Sequence, residues 1–193
     1  FDTERKCQLS RGSVTPVGSK DWTVSLWWKR TGTGSQTLFS LQNDSSNTAN
    51  LIDNNGSLTM NTSGSAGSNE ITSATQSVLN TWTNIVVSHS ETQETKIYVN
   101  GGNPTSGNVT IVDLNNLVVG SILGTGWSDG YMSDVYFSEK VLEPTAFGKS
   151  FEGKWGPLDS SVVLENIKGA AKSPYEDRPN MDEEWSAGNL GTD

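Results

Sequence analysis

One cysteine, Cys7, and one histidine, His89, stand in a chain of 193 residues. A single cysteine cannot close a disulfide within the chain, and the two residues leave no Cys/His zinc cluster. Any Cys–His or Ser–His catalytic pair would have to use His89, which has no nucleophile or orienting acid in its local sequence. Positive charge is scarce as well: 13 Lys and Arg against 22 Asp and Glu give a net charge of −9. That balance argues against binding the phosphate backbone of nucleic acids and against anionic membrane surfaces. No apolar run reaches the roughly 18 residues that span a bilayer. No signal-peptide pattern is present, and the start at Phe1 reads as that of a processed, trimmed or partial chain.

Small polar residues are abundant. Ser, Thr, Asn and Gly make up 83 of the 193 residues, a composition that favours strands with many turns over long helices. The length suits one large all-β domain, or one domain with an appendage.

Residues 23–29 (T-V-S-L-W-W-K) alternate Val24, Leu26 and Trp28 with Thr23, Ser25 and Trp27, as a strand with one apolar face does. Thr37 to Leu41 reads as a second strand. In 50–60 the pair Asn55-Gly56 sits between two apolar runs, a strong hairpin signal because a tight turn needs positive φ at its centre. Residues 61–69 read as an exposed loop, and Ile71 to Leu79 as a loop or one helical turn. Asn84 to His89 and Lys96 to Val99 form a further hairpin through the polar stretch 90–95, and Asn100-Gly101-Gly102 turns the chain again. Leu117 to Ile122 and Gly130 to Phe137 complete about eight strands. Met132 and Val135 break strict alternation, which fits a β-bulge. Pro144 opens one short helical turn. Short strands with closely spaced turns predict an antiparallel sandwich or barrel.

After Phe151 the pattern changes. Val162 to Leu164 reads as one more strand, and no amphipathic helix of normal length is visible. Residues 151–193 carry 9 acids and 4 bases, and residues 1–150 carry 13 acids and 9 bases, so charge density is higher in the shorter tail. Too few apolar residues lie in 159–193 to bury a core, yet Val162, Val163, Leu164, Ile167, Tyr175, Met181 and Trp185 are spread through it. This predicts an extended acidic arm over 159–193, beside a domain over 1–158. Val162 to Leu164 would lie on the arm's own sandwich, while Tyr175, Met181 and Trp185 would contact a neighbouring subunit.

Five stretches, W-T-V-S-L-W-W-K-R (22–30), T-W-T-N-I-V-V-S (81–88), K-I-Y-V-N-G (96–101), L-V-V-G (117–120) and G-Y-M-S-D-V-Y-F (130–137), resemble in order and spacing the laminin-G-like, concanavalin-A-like jelly roll. V-L-E-P-T-A-F-G-K (141–149) followed by Trp155-Gly156-Pro157 is similar to versions of that domain in tail-fibre and other virion proteins of marine bacteriophages. The resemblance covers roughly residues 1–158. It implies two antiparallel sheets packed face to face, and binding or scaffolding more often than catalysis.

The acid–x–acid–x–x–acid strand run of jelly-roll glucanases, which sets paired carboxylates for acid/base work, is absent. Glu91 and Glu94 flank a turn, and the Asp182 to Glu184 acids lie outside the sandwich. Some laminin-G-like domains bind calcium through loop oxygens; Asp53 with Asn54, Asp113 with Asn115, and Asp129 are the residues here, and equally they serve turns. Of the seven tryptophans, Trp22, Trp28 and Trp82 match positions that are core in the family, and Trp27 fits either face. Trp155 and Trp185 suit anchors. Trp127 lies in the loop G-T-G-W-S-D-G (124–130). An aromatic ring stacks on the apolar face of a sugar and a carboxylate accepts its hydroxyls, so Trp127, Asp129 and Tyr131 form a candidate glycan site; Trp127 equally suits a cover for one end of the sandwich. Cys7, alternating with Leu9, reads as a small buried apolar residue.

These readings predict an all-β, two-sheet jelly-roll sandwich that is not an enzyme. Its expected role is structural, in the fibre, tail or capsid decoration of a phage virion, with other virion proteins or copies of itself as partners and a host-surface glycan as ligand. No cofactor beyond calcium is expected, and neither nucleic acid nor membrane insertion. The alternative is a secreted carbohydrate-binding module of a bacterial adhesin or polysaccharide-active enzyme.

Overall fold

The computed structural model describes residues 8–11, 21–43, 47–63, 69–111, 115–121, 126–169 and 186–188. In chain order its strands are β1 (Gln8–Arg11), β2 (Trp22–Arg30), β3 (Ser35–Gln42), β4 (Thr48–Asn54), β5 (Ser57–Ser63), β6 (Asn69–Thr72) and β7 (Trp82–His89). They continue with β8 (Glu94–Val99), β9 (Thr105–Asn108), β10 (Asn116–Val119), β11 (Gly130–Ser138), β12 (Gly148–Phe151), β13 (Lys154–Pro157) and β14 (Ser186–Gly188). A short 3-10 helix spans Pro144–Ala146, and α1 spans Ser160–Gly169. One sheet runs β14-β1-β10-β3-β4-β5-β6, a second runs β11-β2-β7-β8-β9, and β12 and β13 form a separate hairpin.

The expected two-sheet antiparallel sandwich is what forms. Strand alternation explains it: Trp22, Val24, Leu26 and Trp28 on β2, and Ile85 and Val87 on β7, meet Phe39, Leu41, Leu51, Met60, Leu117 and Val119 of the other sheet in one core. Apolar area removed from water drives this association. Trp22 packs edge-on against Phe39, with centroids 6.4 Å apart, and stacks on His89 at 5.4 Å. The Asn55-Gly56 turn is present with φ of 52° and 100°, the left-handed pair that a two-residue hairpin needs. The bulge is present too: pairing of β11 with β2 shifts register between Ser133 and Tyr136, and Asp134 takes φ of 50°.

One carboxylate ties these elements together. The Asp53 side chain is fully buried and accepts hydrogen bonds from the Trp28 indole at 2.9 Å, the Gly56 amide at 2.6 Å and the Ser77 hydroxyl at 2.5 Å. Arg30 lies 3.8 Å away with its Nε, and its Nη1 donates to Asn55 Oδ1 at 2.9 Å. The strand β2, the β4–β5 turn and the segment before β7 are thereby joined at one end of the sandwich.

Three expectations are corrected. Residues 61–63 continue β5 and Asn69–Thr72 is a strand, so the loop expected over 61–69 is shorter, and no helical turn forms over 71–79. Trp82 is 42% exposed rather than core, because it is out of phase with Ile85 and Val87 and so lies on the other face of β7. Val162 to Leu164 is helix, not strand. The β-branched run favours a strand locally, but helix-terminal signals override it. The Asp159 carboxylate accepts from the Ser161 amide at 2.9 Å and hydroxyl at 2.6 Å, an N-terminal cap. At the other end the Lys140 ammonium donates to the carbonyls of Ile167 and Lys168, at 2.8 and 3.3 Å. Val163 and Ile167, one turn apart, then pack on Val86, Tyr98, Leu142 and Phe147 over the outer face of the second sheet. Burial foremost, and then the Glu143 carboxylate, push the Tyr98 hydroxyl far above an ordinary phenol. Ser160–Gly169 is therefore part of the folded body rather than of an extended arm. Tyr175, Met181, Trp185 and Cys7 lie outside the described residues.

Asp53→Ala leaves Arg30 buried beside an empty acceptor site, and the expected loss is about 3–5 kcal/mol in urea unfolding; a loss below about 1 kcal/mol would show that the hub is dispensable. Asp159 is held below its ordinary 3.8 by the Ser161 hydroxyl first and the Ser161 amide second. A lowered folded value means that the stabilisation is complete above the ordinary carboxylate range and is lost as pH falls through the folded value. The melting temperature of the native chain should therefore approach that of Asp159→Asn on acidification, and parallel curves for the two proteins would contradict this.

Candidate functional site

The segment from Gly126 to Tyr131 runs from the first sheet across to the second. The Thr37 amide donates to Gly126 O at 2.9 Å, the Ser128 hydroxyl donates to Thr37 O at 2.5 Å, and the Asp129 amide donates to Gln36 Oε1 at 2.8 Å. The amides of Thr31 and Gly32 donate back to Asp129 O at 3.1 and 3.3 Å. Ser128 and Gly130 are buried, whereas Trp127 and Asp129 are half-buried and Tyr131 is 60% exposed. Alternation thus sets Trp127, Asp129 and Tyr131 on the solvent side of one firmly stitched segment. The Asp129 carboxylate also accepts the Thr31 hydroxyl at 3.2 Å.

From Tyr131 the surface continues across the second sheet. Register pairs Tyr131 with Lys29 and Lys29 with Trp82. Residues directly opposite share a face, so the three side chains form one transverse row. Lys29 Nζ stands 5.9 Å from the Tyr131 ring centroid, within cation–π range. Two strand spacings put the backbones carrying the two aromatic residues about 10 Å apart. Exposed Val78 and Leu79 adjoin the row through a turn in which the Asn80 amide donates to Arg30 O at 2.8 Å.

One row further in, Ser133, Trp27 and Asn84 are paired. Trp27 fits either face on sequence grounds; it shares the outer face with Lys29 and is 8% exposed. Trp155 acts as an anchor within its own chain: its indole donates to Asn84 Oδ1 at 2.9 Å and its ring lies over Gly101 and Gly148, where a Cβ at Gly148 would come within 2.6 Å of it. The Lys29–Trp82 part of the row is what the sequence reading missed. The phase of Trp82 against Ile85 was the signal, masked by the apolar Val86 between Ile85 and Val87.

The remaining residues serve structure. Both Asp53 oxygens are taken by donors of the chain, so this calcium candidate holds the hairpin; Asp113 lies outside the described residues. Among the described residues no group of three or more His, Cys, Asp or Glu gathers as a metal site. His89 is buried, with Nδ1 2.7 Å from the Thr95 hydroxyl. Glu94 pairs with Lys96 at 3.5 Å, and the Glu91 amide donates to the Asp21 carboxylate at 3.0 Å. No helix among the described residues is long and apolar enough to cross a membrane.

The fold has many structural relatives at low identity. A heptameric SAP-like pentraxin from Limulus polyphemus superposes with a TM-score of 0.59 at 16% identity, over 97% of this chain and 88% of the other. The CBM40 of a Ruminococcus gnavus IT-sialidase, in a structure bound to alpha2,3 sialyllactose, gives 0.56 at 15% identity, over 65% and 79%. The receptor binding domain of a botulinum neurotoxin C/D mosaic serotype gives 0.53 at 14% identity, over 72% of this chain and 40% of the other. Such identities establish shared architecture only. No curated protein matches the chain at a significant level. A laminin-G-type family model, described as the concanavalin A-like lectin/glucanases superfamily, matches residues 1–146. With three quarters of its length matched by that model and its two sheets packed as a jelly roll, the chain belongs to the concanavalin A-like lectin/glucanases superfamily.

Proposed function

We propose that this chain is a non-catalytic glycan-binding module carried on a phage virion. The observation that carries the glycan half is the solvent-facing set Trp127, Asp129 and Tyr131, stitched to both sheets at one end of the sandwich. A rigid aromatic face with a neighbouring carboxylate suits a sugar, and rigidity lowers the entropy lost on binding. Support also comes from the relatives, one seen with a sialylated sugar and one a receptor binding domain. The virion half is supported by the similarity of 141–149 and Trp155-Gly156-Pro157 to marine phage structural proteins. Partners on the particle would be copies of the chain or other virion proteins, reached through Tyr175, Met181 and Trp185. Stacking and a few hydrogen bonds make a single site weak, near the millimolar end of about −4 kcal/mol, so attachment would rely on many copies.

A glycan array probed with the native chain, Trp127→Ala and Tyr131→Ala tests the first half. Hits that fade about tenfold or more in both variants are expected; an empty array, or hits indifferent to both changes, removes the reading. For the second half, a chain ending at Gly169 keeps α1 but loses β14, the edge strand paired with β1; it should still fold, with a lowered melting temperature, while losing its place in the particle assembly. Assembly as efficient as that of the full chain would refute contacts through the last residues.

A further inference from the structure

We infer that the row Tyr131–Lys29–Trp82 selects an acidic sugar chain, with a carboxylate or sulfate seated at Lys29 and sugar faces on the two flanking rings. The inference rests on the glycan-binding reading and names its ligand class. The three residues come from adjacent strands in register, on the face of the second sheet that the 3-10 helix and α1 cover elsewhere. The rings are well exposed, Tyr131 at 60% and Trp82 at 42%, in a protein that otherwise buries Trp22, Trp27 and Trp28. Two exposed aromatics on either side of one cation are not needed by the core, whose apolar surface is closed without them.

Charge sets Lys29 apart. Among the described residues it forms no ion pair, and its close interaction is with the Tyr131 ring at 5.9 Å. The acids nearest in sequence to that row are turned to hydroxyls: Asp129 to Thr31 at 3.2 Å and Asp134 to Ser133 at 2.7 Å. Among the described residues no acid compensates Lys29, which is ready to donate to an anionic oxygen. Charge-assisted hydrogen bonds are stronger than neutral ones, and here they add to stacking instead of replacing it. The separation of the rings, about two strand spacings or 10 Å, suits sugar units flanking the one whose anion meets Lys29.

The test compares two hexasaccharides with one backbone, β-1,4-mannohexaose and β-1,4-mannuronate hexamer, with heparin hexasaccharide as the sulfated probe. Binding is read by calorimetry and tryptophan fluorescence. The native chain should bind at least one acidic probe about fivefold more tightly than the neutral one, a preference that declines with added salt. Lys29→Met keeps the apolar stem and should abolish the preference, whereas Trp82→Ala should weaken neutral and acidic binding alike. Equal binding of neutral and acidic probes, or a preference untouched by Lys29→Met, overturns the acidic class and leaves the glycan-binding reading standing. Failure of every probe together with an empty array overturns both. A protein that sediments as an oligomer dispersed by Trp82→Ala would show the row to be a subunit interface, and would also overturn the inference.

Discussion

Asp53 is the point on which the two sheets depend for their mutual position. A carboxylate with no exposure must have its lone pairs filled or forfeit several kcal/mol of lost hydration. Here an indole from β2, a turn amide and a serine hydroxyl fill them. Each donor belongs to a different piece of chain, so the requirement becomes a geometric constraint. Trp28 is fixed in azimuth as well as depth, and the rest of β2 follows it. Because Lys29 is the next residue, the orientation of the exposed row descends from the same buried acid, through one peptide.

The surface reading and the core reading are thus one problem of phase. On β2, Trp27 and Lys29 face outward because Leu26 and Trp28 face inward. On β7, Trp82 faces outward because Ile85 and Val87 do not. A sandwich of this kind offers two outer surfaces, and here one of them is largely covered by the 3-10 helix, β12–β13 and α1. What stays open is the end near Tyr131 and Trp82. The covering elements therefore delimit the exposed row, with Trp155 and Asn84 at its boundary.

Much of the fold was legible in the sequence because period-two alternation is strong in β2, because β7 and β11 are apolar runs bounded by polar and turn residues, and because Asn55-Gly56 and Asn100-Gly101 have few alternatives to tight turns. The strands that escaped notice, such as Thr105–Asn108 and Asn69–Thr72, are short and polar; they are held by pairing with neighbours rather than by their own pattern. Helix α1 escaped because Val162-Val163-Leu164 has the local preference of a strand. The deciding contacts, from Lys140 and Phe147, are distant in sequence. Of the candidate site, the 127–131 segment was visible as an aromatic among turn residues. Lys29 and Trp82 were not, since only register reveals that strands so far apart in sequence align them with Tyr131.

The bulge in β11 bears on how such molecules crowd. β11 is the outermost strand of its sheet, paired with β2 on one side only. A nine-residue open strand would ordinarily invite an identical strand to lie beside it. The register shift after Ser133, with Asp134 in a left-handed conformation, interrupts the row of amides and carbonyls midway and turns a charge outward. No straight partner can follow that edge over its full length. At this edge, molecules packed side by side therefore stay discrete instead of fusing their sheets into a continuous ribbon.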